Sequence, residues 1–81
     1  MTRKFVSKNL YFCSYLCTLE DVEFLGTSRN SSGEVLFHFS PKALAEKKSS
    51  EYFTGKAVVE PTEFVGKVNM LRDLIFSGGG K

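Results

Sequence analysis

The stretch VEFLGTSRNSSGEVLFHF (residues 22–39), followed at once by Ser40-Pro41, decides the fold. Two β-type segments flank a polar connection at residues 29–33, in which Gly33 supplies the positive φ of a turn. Residues 34–39 alternate with period two. Val35, Phe37 and Phe39 share one face, and Leu36 and His38 share the other. The stretch therefore predicts an antiparallel hairpin that turns its phenylalanines toward the core.

The first strand of this hairpin is predicted over residues 21–28. Val22 and Phe24 fall on one face, and Glu23 and Leu25 on the other. A glycine inside a strand often marks a bulge, so Gly26 predicts one here.

Ser40-Pro41 predicts the start of a helix, with Ser40 as N-cap and Pro41 at the first helical position. This helix is expected to run to Phe53 and to end at Thr54-Gly55. Its inward side chains are expected to be Leu44, Ala45, Tyr52 and Phe53.

An earlier helix is predicted over residues 10–19, capped by Ser7 or Asn9. Phe12, Leu16 and Leu19 follow the helical spacing i, i+4, i+7. The aromatic content would also suit a strand, but an almost unbroken apolar run of ten residues favours a helix.

A last helix is predicted from Pro61, with Glu63 placed well against the helix dipole. Gly66 inside it suggests close packing against a neighbour, and Val58-Val59 before it predicts a brief strand. The inward stripe, at i, i+4, i+7 and i+11, is Phe64, Val68, Leu71 and Ile75.

These segments predict a single small α+β domain of order α-β-β-α-(short β)-α, an antiparallel hairpin covered on one face by helices. Residues 1–9 are interpreted as a basic N-terminal segment, residues 10–77 as the globular domain and residues 78–81 as a flexible tail.

Composition agrees with one globular domain. The chain has 81 residues, of which 42% are hydrophobic, and its eight Phe and three Tyr can fill a compact core. The formal net charge is only +2, which is too small to indicate nucleic-acid binding by charge alone.

Nothing in the sequence indicates catalysis, a cofactor or a metal. Cys13 and Cys17 are four residues apart on one helix face, which is a poor arrangement for a disulfide, and they are interpreted as small buried hydrophobes. The sole histidine, His38, cannot complete a four-ligand zinc site with two thiols. No G-x-S-x-G pattern occurs, and the terminal Gly78-Gly79-Gly80-Lys81 lacks the context of a phosphate loop. We therefore expect no enzymatic activity and no small-molecule substrate.

The expected location is the cytoplasm. The apolar run at residues 10–19 is shorter than a membrane span and precedes no signal-peptide cleavage pattern. Two unpaired thiols suit a reducing compartment.

Two kinds of function remain. The first is a non-enzymatic accessory module that binds a protein partner or a second copy of itself, because an incomplete sheet offers surface for association. The alternative is nucleic-acid binding, in which basic residues near Phe5, Tyr11 and Phe12 contact phosphates while the rings stack on bases. The candidate contacts are Arg3, Lys4, Lys8, Lys42, Lys47 and Lys48.

Four stretches carry a resemblance to a known family: the helix ending in Tyr15-Leu16, the strand Val35-Leu36-Phe37-His38-Phe39, residues 52–59 and residues 64–76. Together they resemble a family of small phage and bacterial proteins catalogued as a domain of unknown function. The chain departs from it at Thr18-Leu19-Glu20, where members are expected to have Gly. The resemblance implies a phage or mobile-element setting, and it transfers no functional residue because the family has no assigned activity.

Overall fold

The computed structural model describes residues 4–78. The elements along the chain are β1 (Phe5–Ser7), α1 (Leu10–Cys17), β2 (Glu23–Arg29), β3 (Val35–Ser40), α2 (Lys42–Phe53), α3 (Pro61–Asp73) and a π-helical turn (Leu74–Gly78). The strands form one antiparallel sheet, and the helices lie on one of its faces. The predicted α+β class is confirmed.

The sheet has the strand order β1-β3-β2, so β3 lies in the centre. Phe39 of β3 pairs with Phe5 on one side and with Phe24 on the other. Side chains of directly paired residues lie on the same face of a sheet. This face is the inner one, because Phe39 is in the buried cluster and Phe5 and Phe24 pack against it. Phe37 and Phe39 are fully buried there, as the sequence predicted.

The element order differs from the prediction at the N-terminus. Phe5–Ser7 lies inside the segment 1–9 that was interpreted as basic and separate, yet it forms the edge strand β1. The strand is held by its ladder to β3 and by the contact between the Cys13 Sγ and the Ser7 carbonyl oxygen, 3.8 Å apart. The sequence did not predict β1, because three residues are too few to show the alternation of inward and outward side chains that marks a strand.

The core lies between the inner face of the sheet and the helices. α1 begins at Asn9, one of the two predicted caps, whose side chain accepts a hydrogen bond from the Phe12 amide at 2.9 Å. α1 packs against α2, α3 and β2, and α3 lies mainly against α1. The buried cluster consists of Phe12, Cys13, Tyr15, Leu16, Val22, Phe37, Phe39, Ala45 and Leu71.

The hairpin has the predicted irregularities. The register shifts between Phe24 and Gly26, which leaves Leu25 as the extra residue of a bulge. Gly26 has a φ of +120° at this bulge, and Gly33 has a φ of +85° in the connecting turn.

The start of α2 was predicted wrongly. Ser40 is the last residue of β3 and pairs with Glu23, so it does not cap the helix. Pro41 occupies the N-cap position, without a side-chain hydrogen bond. Ladder pairing thus extends one residue further than the Ser-Pro signal suggested. The end of α2 at Phe53 is as predicted. The Phe53 ring contacts the buried ring of Phe12, but the side chain is 61% exposed, so it is covered less than predicted.

Two predictions between and within the last helices are also wrong. Val58 and Val59 form no strand, and Val58 is 88% exposed. Gly66 is exposed, and a Cβ there would meet no atom within 4 Å, so close packing is not its role. The inward stripe of α3 is as predicted, with Val68 and Leu71 buried. Of the predicted tail, Gly78 ends the π-helical turn, and residues 79–81 lie outside the described residues.

Candidate interaction surface

The face of the sheet that points away from the helices is the candidate functional surface. We define this outer face by Val6 of β1, Leu25 of β2, and Leu36 and His38 of β3. Val6 and Leu25 are 44% and 41% exposed, although both are large and apolar. Neither they nor Leu36 pack against the buried cluster. Within residues 4–78 no helix covers this face.

The register arranges the outer face in rows across the three strands. In the middle row, Val6 pairs with His38, and His38 pairs with Gly26. At the end of the sheet where α2 begins, Glu23 pairs with Ser40. Lys4 lies near this end on the β1 side, because it directly precedes Phe5, which pairs with Phe39. Glu23 lies on the outer face because its partner Ser40 is on the same side of β3 as His38. Alternation continued one residue before β1 places Lys4 on the side of Val6.

His38 forms a pair with Ser28 on this face. The His38 Nε2 and the Ser28 Oγ are 2.7 Å apart. The His38 Nδ1 is buried and has no hydrogen-bond partner among the described residues. A serine nucleophile and its histidine base need a third group that orients the ring and donors for an oxyanion. The pair therefore has only part of a catalytic arrangement, and its contact links β2 to β3.

The lysines proposed to bind nucleic acid are largely separate from one another and partly neutralised. Phe5 pairs with Phe39, and Ser7 with Phe37. Lys4 therefore lies at the end of the sheet where α2 begins, and Lys8 at the opposite end, near the turn.

Three of the lysines form ion pairs within the chain: Lys8–Glu34 at 2.8 Å, Lys42–Glu46 at 3.2 Å and Lys48–Glu51 at 3.6 Å. Lys4 and Lys47 are exposed and form no ion pair with any residue from 4 to 78. Arg3 lies outside the described residues.

The aromatic rings predicted to stack on bases are mostly engaged in packing. Phe12 is buried, and its ring contacts Phe5, Tyr15, Tyr52 and Phe53. Phe5 is half-buried, and only Tyr11 of the predicted set is exposed. The structure therefore does not assemble the basic and aromatic residues into one stacking surface.

The two cysteines lie on the core side of α1. Burial raises the pKa of the Cys13 thiol to about 12 and that of the Cys17 thiol to about 11. Both are free thiols. Thiols held in the protonated form are poor nucleophiles and poor metal ligands. In the described part of the chain, no three His, Cys, Asp or Glu side chains are grouped so that they could hold a metal ion.

Sequence reasoning placed Leu36, His38 and Leu25 on the non-core sides of their strands but missed Val6. The adjacent β-formers Phe5 and Val6 between two lysines are a usable strand signal. The contact between Ser28 and His38 could not be predicted from the sequence, because the bulge at Leu25 changes which residue of β2 lies opposite His38.

Comparisons with known proteins found no match among protein-family models, curated proteins or solved structures. No helix within residues 4–78 is long and apolar enough to cross a membrane.

Proposed function

We propose that this protein is a small non-enzymatic interaction module that binds a protein, either a partner or a second copy of itself, through the outer face of its sheet. One observation carries the proposal: Val6 and Leu25 remain more than 40% exposed on a sheet face that no helix covers within the described residues. Exposed apolar side chains grouped on one face are typical of protein-binding surfaces.

The distribution of charge supports a protein as the partner. Lys42 and Lys48 are paired with glutamates on α2, which lowers the positive charge that this helix offers to phosphates. On the outer face the apolar side chains of Val6, Leu25 and Leu36 surround His38, and charged residues lie at the rim, as in many protein interfaces. The resemblance to small phage and bacterial proteins supports an accessory role in a phage or mobile-element setting.

A capture experiment tests the proposal. The immobilised chain is exposed to bacterial lysate, with and without nuclease, as wild type and as the variants Val6→Asp and Val58→Asp. The two substitutions are chemically identical, but Val58 is 88% exposed and lies outside the outer face. We expect wild type and Val58→Asp to retain the same protein, Val6→Asp to lose it, and nuclease to have no effect. Self-association with the same dependence on Val6 would be the other form of the proposed function.

The alternative, nucleic-acid binding, predicts a different pattern. Contacts to phosphates release counterions, so binding would weaken steeply between about 50 and 200 mM salt. A gel shift with single- and double-stranded DNA and RNA measures this directly. Sub-micromolar binding that is sensitive to salt and lost in Lys47→Glu/Lys48→Glu would overturn the protein-partner proposal.

A further inference from the structure

We infer that the occupant of the outer face is a second copy of this chain, packed face to face about a two-fold axis that runs along β3. The inference rests on the proposed function and narrows it to one partner. It comes from the pattern of charge and shape across the outer face, which is complementary to itself in this one arrangement.

Two opposite charges, Lys4 and Glu23, define the charge pattern of the outer face. Glu23 pairs with Ser40 at one edge of the sheet, and Lys4 directly precedes Phe5, the partner of Phe39, at the other edge. Both charges therefore lie at the end of the sheet where α2 begins. Strands are about 4.8 Å apart, so the two charges are separated by about 10 Å across the face. Neither forms an ion pair with another residue in the range 4–78. A two-fold axis along β3 places β1 of one copy over β2 of the other and keeps the rows aligned. Lys4 of each copy then faces Glu23 of the other.

The same pattern disfavours the other symmetric arrangement. An axis that crosses the strands at the His38 row would place β1 over β1 and reverse its direction. Lys4 of each copy would then lie over the Lys8–Glu34 ion pair of the other, which offers no net opposite charge. This arrangement lacks the attraction between Lys4 and Glu23 that the first one has. Packed sheets also cross at about 30°, and the long Lys4 and Glu23 side chains can span the resulting offset in the first arrangement.

Shape selects the same axis. In the middle row, Val6 and Gly26 lie on either side of His38. A Cβ at Gly26 would meet no atom within 4 Å, so the surface above it is open. The axis along β3 places Val6 of each copy over Gly26 of the other, next to Leu25. A protruding apolar side chain thus faces an open backbone position twice in one dimer.

The size of the face sets the strength of the dimer. The outer face is about 14 Å wide, and it is about 20 Å long along β2 and β3 but only about 10 Å long along the three residues of β1. Two such faces bury on the order of 800 Å² or less in total. This lies in the range of weak, transient interfaces. The dimer should therefore form and dissociate with concentration, with a dissociation constant in the micromolar range.

Exchanging the two charges tests the arrangement. Lys4→Glu places two pairs of like charges across the dimer, and so does Glu23→Lys. Each variant alone should dimerise about tenfold more weakly than wild type, because two attractive contacts become repulsive. An equimolar mixture of the two variants restores opposite charges at both ends, and so does the double variant Lys4→Glu/Glu23→Lys. Sedimentation equilibrium from micromolar to millimolar concentration should show near wild-type association in both cases.

Controls separate the interface from stability and from charge alone. Val6→Asp should remain monomeric at all concentrations, and Val58→Asp should behave as wild type. If circular dichroism shows that Val6→Asp is unfolded, Leu25→Asp replaces it as the variant that disrupts the outer face. A wild-type chain that stays monomeric at millimolar concentration overturns the inference, as does a mixture of the charge variants that associates no better than each alone. If the wild-type chain stays monomeric but still captures another protein through Val6, the proposed function stands and only the second copy is excluded.

Discussion

The two faces of β3 differ in what covers them. On the inner face, Phe37 and Phe39 are fully buried beneath the helices. On the outer face, Leu36 and His38 lie among the exposed side chains of Val6 and Leu25. Antiparallel sheets commonly pack one face on the core and leave the other solvated, but here the other face carries the apolar side chains of Val6, Leu25 and Leu36. Here only one face is covered within the described residues, so the apolar side chains of the outer face contribute little to the core.

The largest test of this difference is to truncate neighbouring residues on opposite faces. Phe37→Ala removes a fully buried ring and should cost about 3–5 kcal/mol. A domain of this size is stable by about 5–15 kcal/mol, so the variant should be close to unfolding or unfolded. Leu36→Ala, one residue away, should cost about 1 kcal/mol or less. Urea unfolding measures both, and similar losses would mean that the outer face belongs to the core after all.

The sequence predicted the inner face well because its signals are local. The alternation of Val35, Phe37 and Phe39 and the helical stripe through Val68 and Leu71 each repeat with a clear period. Burial of one face enforces such a period, since a slip by one residue would expose the whole set. The N-cap at Asn9 and the bulge beside Gly26 were equally readable, because single residues with special geometry mark them.

What the sequence missed depends on contacts between distant segments. β1 exists because β3 offers it a ladder, and its three residues carry no period of their own. Ser40 continues that ladder although its sequence context resembles a helix cap. Phe53 has the helical spacing of a core residue and its ring contacts Phe12, yet the side chain is 61% exposed. The rows of the outer face required the register of all three strands, so that part of the candidate site could not be predicted.

The pH dependence of stability tests how deeply the Cys13 thiol is buried in the core beneath the inner face. Burial raises the pKa of the Cys13 thiol to about 12, so the folded state holds this proton more tightly than the unfolded state does. The stabilisation is therefore complete below the pKa of the unfolded thiol, near 8.5, and is lost as the pH rises toward the folded value. Between pH 8 and pH 10.5, wild type should lose about 1–2 kcal/mol more stability than Cys13→Ala. Urea unfolding at both pH values measures this, with Ser14→Ala as a control that keeps the thiol. Equal losses in wild type and Cys13→Ala would place the thiol outside the core.

Alanine substitutions at two glycines should have smaller effects on stability, and they distinguish the space available for a side chain from the backbone conformation. Gly66 and Gly26 both have room for a Cβ, because no atom lies within 4 Å of either position. Gly66 is inside α3, so Gly66→Ala should stabilise the domain by about 0.5–1 kcal/mol. Gly26→Ala should destabilise it, because a φ of +120° strains any residue with a side chain. Thermal unfolding monitored by circular dichroism compares the two variants. If Gly26→Ala were also stabilising, the bulge would not fix the geometry of the outer face.

The smallest expected effect lies at the rim of the outer face, in the ion pair between Lys8 and Glu34. Hydrogen bonds from Lys8 and Asn30 lower the pKa of the Glu34 carboxyl. Its contribution to stability is therefore present above the ordinary glutamate pKa and is lost as the pH falls through the lower, folded value. Both side chains are well exposed, so solvent and salt screen the pair. Lys8→Met keeps the aliphatic stem and removes the charge. Its unfolding midpoint should lie slightly below that of wild type at pH 6 in low salt, and the difference should shrink at pH 3 and in 1 M salt. A difference that grew on acidification would mean that Lys8 stabilises the turn by packing. It would then act on the outer face as Phe37 acts on the inner one.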